Sequence, residues 1–148
     1  MRLHFIAALL GMLLVAAPAA AENTVPTPPV QEKLIKTTLL TFNDANLTGN
    51  YDVLHARLAK PFRDQFSPEN LKQVFQSFVD RKIDLGGIVI KQPVATAESK
   101  IDERGLLLLR GYFDTTPSRV IYEIDYAPSE GEWKPISLHV KVNPVGEK

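Results

Sequence analysis

The chain has 148 residues, 45% of them hydrophobic and 23% charged, with 17 Lys and Arg against 17 Asp and Glu, which is the composition of one globular domain. The absence of cysteine excludes a disulfide framework, a thiolate metal centre and a cysteine nucleophile. A balanced charge gives no electrostatic footprint for nucleic acid or for an anionic membrane surface.

Residues Met1 to Ala21 combine a basic start at Arg2, a 13-residue apolar run from Phe5 to Ala17 and a small-residue end, Pro18-Ala19-Ala20-Ala21. This is the pattern of a secretory signal peptide cleaved near Ala21. The run falls short of the roughly 20 residues that span a bilayer. The expected location is therefore the periplasm or the medium, with no stable membrane insertion after cleavage. Removal takes Met1 and Met12, the only methionines, and leaves a chain outside the oxidation chemistry of sulfur. Asn46-Leu47-Thr48 matches a glycosylation sequon, a three-residue pattern frequent by chance.

Glu22 to Pro29, with Pro26, Pro28 and Pro29, reads as a linker, and a single domain is expected over residues 30–148. From Val30, the residues Leu34, Ile35, Thr38, Leu39, Phe42 and Ala45 recur at helical spacing until Gly49-Asn50. A short second helix is predicted to carry Tyr51, Leu54 and Leu58 and to end at Pro61. Ser67-Pro68-Glu69 supplies a hydroxyl cap, a first-turn proline and a first-turn acid. The helix it opens is predicted to run to about Arg81 and to bury Leu71, Val74, Phe75, Phe78 and Val79. After Gly86-Gly87 the chain reads as strand: Ile88 to Ala97, confined to an edge by Pro93, then Gly105 to Phe113, Ser118 to Tyr126 and Glu132 to Val142. Helices followed by an antiparallel meander of about four strands give an α+β class, the helices packed on one face of a curved sheet.

The stretch LHARLAKPFRDQFSPENL (54–71), the segment FVDRKIDL (78–85), and RGYFDTTPSRVIYEIDY followed by GEWKPISLHVKV resemble a small group of exported bacterial proteins of unknown function. That group is similar to the nuclear transport factor 2-like superfamily, whose cystatin-like α+β cone holds helices in the hollow of a bent sheet. The resemblance covers residues 30 to 142. It implies the cone but no single activity, because the superfamily includes isomerases, dehydratases, binding proteins and transport adaptors.

A four-residue turn at Asp114 to Pro117 would pair Phe113 with Ser118, Leu109 with Tyr122 and Leu107 with Ile124. Alternation then turns Leu107, Leu109, Gly111, Phe113, Val120, Tyr122, Ile124 and Tyr126 toward the helices. A five-residue connection, Ala127 to Gly131, would pair Tyr122 with Ile136 and turn Ile136, Leu138, Val140 and Val142 the same way. A four-residue loop would instead put Trp133 and His139 inside, unless a bulge corrected the register. The outer face is expected to carry Leu106, Leu108, Arg110, Tyr112, Arg119, Ile121, Glu123, Asp125, Trp133, Pro135, Ser137 and His139. Its apolar and aromatic content is that of an interface. A homodimer is expected through it, with Leu106, Leu108, Tyr112, Ile121, Trp133 and His139 at the contact.

Beyond the signal segment only His55 and His139 remain, with no HExxH and no histidine pair at i and i+4. No metal, nucleotide or redox cofactor is expected, and no catalytic residue is assigned. His55 lies on the short second helix, near where a cone would open. Tyr51, His55, Tyr122 and Tyr126 are the candidates for lining a pocket. The favoured function is a non-enzymatic exported domain that binds a small apolar molecule or a protein partner. The alternative, an isomerase, dehydratase or hydrolase, needs an inward helix-borne carboxylate as proton shuttle, and the strand acids Glu123 and Asp125 are expected to point outward.

Overall fold

The computed structural model describes residues 24–116 and 118–144; the segment expected to be a signal peptide, Met1 to Ala21, lies outside them. Helix α1 (Pro28–Thr48) begins earlier than the proline content of the linker suggests, because Pro28 and Pro29 occupy its first turn, where no amide donor is needed. It ends at Gly49, as the periodicity predicts, in a left-handed cap at φ 71°. Its apolar stripe buries Ile35, Leu39, Phe42 and Ala45, and full burial of a side chain such as Phe42 contributes about 2–3 kcal/mol.

Helix α2 (Asp52–Arg57) follows where the short second helix is predicted. Pro61 does not close it. It stands instead in the first turn of α3 (Lys60–Gln65), a helix the sequence reading missed. Ser67 caps α4 (Pro68–Val74) in a reciprocal capping box with Asn70. The single helix expected to reach Arg81 is broken at Phe75 (φ −101°, ψ 17°) and continues as α5 (Gln76–Asp80). Phe75 and Phe78 both meet Phe42 edge-on, at centroid distances of 4.7 and 5.1 Å.

The strand expected over Ile88 to Ala97 is mostly absent. Gly86–Ile90 forms a 3-10 turn that buries Ile88, and only Val94–Ala95 is strand β1. In the β1 register, Val94 opposite Tyr112, residues 88–91 would fall beyond Asp114, where β3 (Leu107–Asp114) ends, so they have no partner on it; a second two-residue strand, β2 (Lys100–Ile101), takes Leu107 and Leu108 farther along the same edge. With β4 (Ser118–Ser129) and β5 (Glu132–Pro144) these complete an open, antiparallel, five-stranded sheet in the order β1-β3-β4-β5, with β2 also on β3. The molecule is α+β, helices first and sheet second. Among the described residues no helix is long and apolar enough to cross a membrane.

The β3–β4 ladder is shifted from the expected register but keeps its parity. Phe113 pairs with Val120, Leu109 with Ile124 and Leu107 with Tyr126, because pairing extends to Asp114 and Arg119, which Arg119 Nε secures on Asp114 Oδ1 at 2.7 Å. Leu107, Leu109, Phe113, Val120, Tyr122, Ile124 and Tyr126 are all buried. The five-residue loop before β5 is replaced by a two-residue turn, Glu130-Gly131, with both φ values positive at 55° and 79°, the backbone hand that suits a tight hairpin. An even loop would invert the last strand. A bulge opposite Asp125 and Tyr126 restores Leu138, Val140 and Val142 to the buried side, opposite Ile124, Tyr122 and Val120.

That bulge overturns one part of the expected outer face. Between the turn and the bulge the parity is reversed, so Trp133 and Pro135, opposite Pro128 and Tyr126, stand on the helix side, and Trp133 packs against the core. Ile136, expected inward in register with Tyr122, is the extra residue of the bulge and pairs with nothing on β4. Leu106 precedes β3 and closes the turn after β2, its N–H donating to Asp102 Oδ1 at 3.0 Å.

Candidate functional site

Where α1, α2 and the start of β5 diverge, they leave a half-open cleft of about 560 Å³. Leu34, Thr37, Thr38 and Thr41 line it from α1, Leu54, Arg57 and Leu58 from the α2 segment, and Trp133, Lys134 and Pro135 from β5. The cleft exists because the hairpin end of the sheet is tied to the α2–α3 junction rather than packed down on α1. Ala59 N–H donates to the Pro135 carbonyl at 2.8 Å, Lys60 N–H to Ser129 Oγ at 3.2 Å, and the Arg63 guanidinium bridges the Leu58 carbonyl and Glu130.

Of the four tyrosine and histidine positions expected to line a pocket, the structure brings only Tyr126 to this cleft. Thr38 Oγ1 donates to the Leu34 carbonyl at 2.9 Å, so the Tyr126 hydroxyl, 2.9 Å away, donates to Thr38. Burial raises the Tyr126 pKa well above the ordinary phenol value, partly offset by Thr38. Tyr122 faces a separate cavity of about 130 Å³ with Gln31, Glu32, Ser99 and Arg110, and burial pushes its hydroxyl up to about 12. Tyr51 is a core residue whose hydroxyl donates to Asn46 Oδ1; it too is pushed up to about 12 by burial.

His55 has a structural task. Its Nε2 meets two acceptors, the Phe66 carbonyl at 2.6 Å and the Arg63 carbonyl at 3.2 Å. That nitrogen must carry the proton, and it fastens α2 to the end of α3. Asn46 is 3% exposed and its Nδ2 has no partner, so the atom that the sequon would glycosylate is inaccessible in the folded chain.

On the outer face Leu108, Tyr112 and Ile121 are half-buried and His139 is exposed. Arg119 lies over the Tyr112 ring at 4.0 Å, and Arg110 pairs with Asp125 at 2.6 Å. His139 stands opposite Glu123. Among the described residues no group of three or more His, Asp and Glu is placed to hold a metal ion.

No protein-family model, curated protein or solved structure matches this chain. The chemistry of the cleft rests on its own residues. Those the sequence reading missed are Leu34, Leu54, Leu58, Arg57 and the Lys33-Thr37-Thr41 row, spaced i, i+4, i+8 along one edge of α1. The glycine of Glu130-Gly131, flanked by alternating strands, is the signal that would have restored Trp133 to the set.

Proposed function

We propose that this chain is an exported, non-enzymatic domain that binds a small apolar molecule in the cleft between α1, α2 and β5. One observation carries the reading: a cleft of about 560 Å³ with a floor of Leu34, Leu54, Leu58, Trp133 and Pro135, a size and lining suited to a small organic ligand. Among the described residues that line it, the one carboxylate, Glu132, is exposed on the strand, and the one phenol, Tyr126, is committed to Thr38. Neither forms a pair arranged for proton transfer. Export rests on the Met1–Ala21 pattern. A nuclear transport factor 2-like cone is supported by the resemblance over residues 30–142 and by the order of helices before an antiparallel sheet.

The enzymatic alternative finds its helix-borne carboxylate at the smaller cavity, where Glu32 and Tyr122 share a lining. There Glu32 is already bound to Lys36 Nζ at 2.7 Å, and a space of about 130 Å³ matches only about four water molecules. Binding is the better-supported function. For a partner, we infer that a second copy pairs through the outer sheet face, supported by the row Val94-Tyr112-Ile121, whose Val94 is 42% exposed.

The binding reading is tested with a neutral, environment-sensitive dye, N-phenyl-1-naphthylamine, and the variant Thr37→Trp, which fills the cleft from an exposed position on α1. The dye should brighten saturably with the unmodified protein and lose this response with the variant, while the urea midpoint stays put. A response that is non-saturable, or indifferent to Thr37→Trp, would overturn it.

A further inference from the structure

Resting on that reading of the cleft, we propose that its ligand is an amphipathic anion, an apolar chain or ring system ending in a carboxylate-type head group. The floor selects an apolar body, since Leu34, Leu54, Leu58, Trp133 and Pro135 line it and the one phenol beneath them is turned to Thr38. The rim selects the head. Lys33 stands on the α1 wall and Arg57 on the α2 wall, and among the described residues neither is held in an ion pair. Lys134 also lines the cleft; its ammonium lies 3.5 Å from Glu130, which also takes Arg63, so that group holds two cations to one acid. Against these stands, among the described residues, one lining carboxylate, Glu132.

A rim with more cations than acids, set above a floor of low dielectric, attracts an anion more strongly than the same charges would on an open surface. A cationic head would meet net repulsion there. A neutral head would gain only a hydrogen bond from Lys33 or Arg57, without the charge attraction. Placing Arg57 in the last turn of α2 satisfies the helix dipole without neutralising the guanidinium, so its charge is available to a ligand.

The chain provides its own reporter, because Trp133 is its single tryptophan and lines the cleft. Dodecanoate, dodecanol and dodecyltrimethylammonium, the ions kept below their micellising concentrations and dodecanol below its solubility, are titrated against the intact protein while Trp133 emission is followed. Dodecanoate should bind about tenfold more tightly than dodecanol at low salt, with the cationic probe weakest, and about 0.5 M salt should narrow the gap. The double variant Lys33→Gln, Arg57→Gln, which leaves Lys134 against Glu132 on the lining, should bring dodecanoate down to the affinity of dodecanol and leave dodecanol unchanged. Glu132→Gln should tighten dodecanoate about threefold. Equal affinities for dodecanoate and dodecanol, or preference for the cation, would overturn the head-group assignment while the cleft reading stands. No saturable change in Trp133 emission with any of the three would overturn the cleft reading itself.

Discussion

Gly111 faces Tyr122 directly across the β3–β4 ladder, and the aromatic ring covers the place where a side chain would be. A methyl at that position would lie 2.8 Å from Tyr122 Cζ and closer still to the Tyr122 hydroxyl and the Val94 carbonyl oxygen. Backbone cannot retreat as a flexible side chain can, so Gly111→Ala should cost about 1–3 kcal/mol, read as a lowered urea midpoint at unchanged m-value. The tyrosines set an alkaline limit as well. Tyr51 and Tyr122 are pushed up to about 12 by burial, and Tyr126 is raised too, whereas an unfolded phenol ionises near 10. The folded chain holds these protons after the unfolded chain has released them. The contribution is therefore complete below pH 10 and lost as pH rises through the folded values. Urea midpoints should fall steadily above about pH 10, and Tyr122→Phe should shallow that fall; a fall of the same steepness in Tyr122→Phe would contradict the assignment.

At the scale of elements, one side chain locks α1 to the loop before the 3-10 turn. Asn43 is 4% exposed; its Oδ1 accepts the Leu85 N–H at 2.7 Å and its Nδ2 donates to Asp84 Oδ1 at 3.1 Å. Asn43→Leu would leave the Leu85 donor buried and unpaired, an expected loss of about 1–3 kcal/mol measurable by denaturant unfolding. Asp84 also accepts the Gly86 N–H at 2.8 Å, and that bond, then Asn43, holds its carboxyl below the usual range. A depressed carboxyl stabilises the fold above its unfolded value and stops doing so as pH falls through the folded one. Unfolding midpoints should therefore decline on acidification below about pH 4, less steeply in Asp84→Asn. None of this latch was legible in the sequence, where Asn43 is one polar residue within an apolar period. The periodicity did locate α1, because Leu39 and Phe42 must share a face, and strand alternation found the buried side of β3 and β4, because a slip that preserves parity preserves burial. It failed at Ile88-Val89-Ile90, a β-branched run that reads as strand but in the β1 register falls past the end of β3, and only Ile88 of the three is buried. It failed for Trp133 because a two-residue turn and a bulge each reverse parity, and only their sum is visible from the far end of β5. The cleft was missed with it.

For the whole molecule, the sheet presents two faces and the helices cover one. The outer face lost Trp133 and Pro135 to the cleft and Leu106 to a turn, which leaves Leu108, Tyr112, Ile121 and Val94 as its apolar part. Arg119 already shields Tyr112, and Arg110 with Asp125 forms a largely covered pair. These pairs narrow the patch without closing it, and they also remove a penalty: an interface laid over charges that are already matched does not strand any of them. Glu123 and Lys141 remain exposed on this face, opposite in sign and in successive rows, with Lys141 opposite Ile121 and Glu123 opposite His139. A two-fold axis near Ile121 would let each copy offer its acid to the other's lysine, the self-complementarity that a closed dimer requires. Stable association would need roughly 1,200 Å² or more of total buried area, so the contact must extend beyond Ile121 to Leu108 and Val94. Light scattering on the unmodified protein at about 10 µM, in the range where such interfaces hold, should give twice the chain mass. Ile121→Glu should return the single-chain mass with an unchanged far-ultraviolet spectrum, since Ile121 lies on the side of the sheet away from the core. A single-chain mass for the unmodified protein would mean that Arg119 and the Arg110–Asp125 pair already suffice to cover this face.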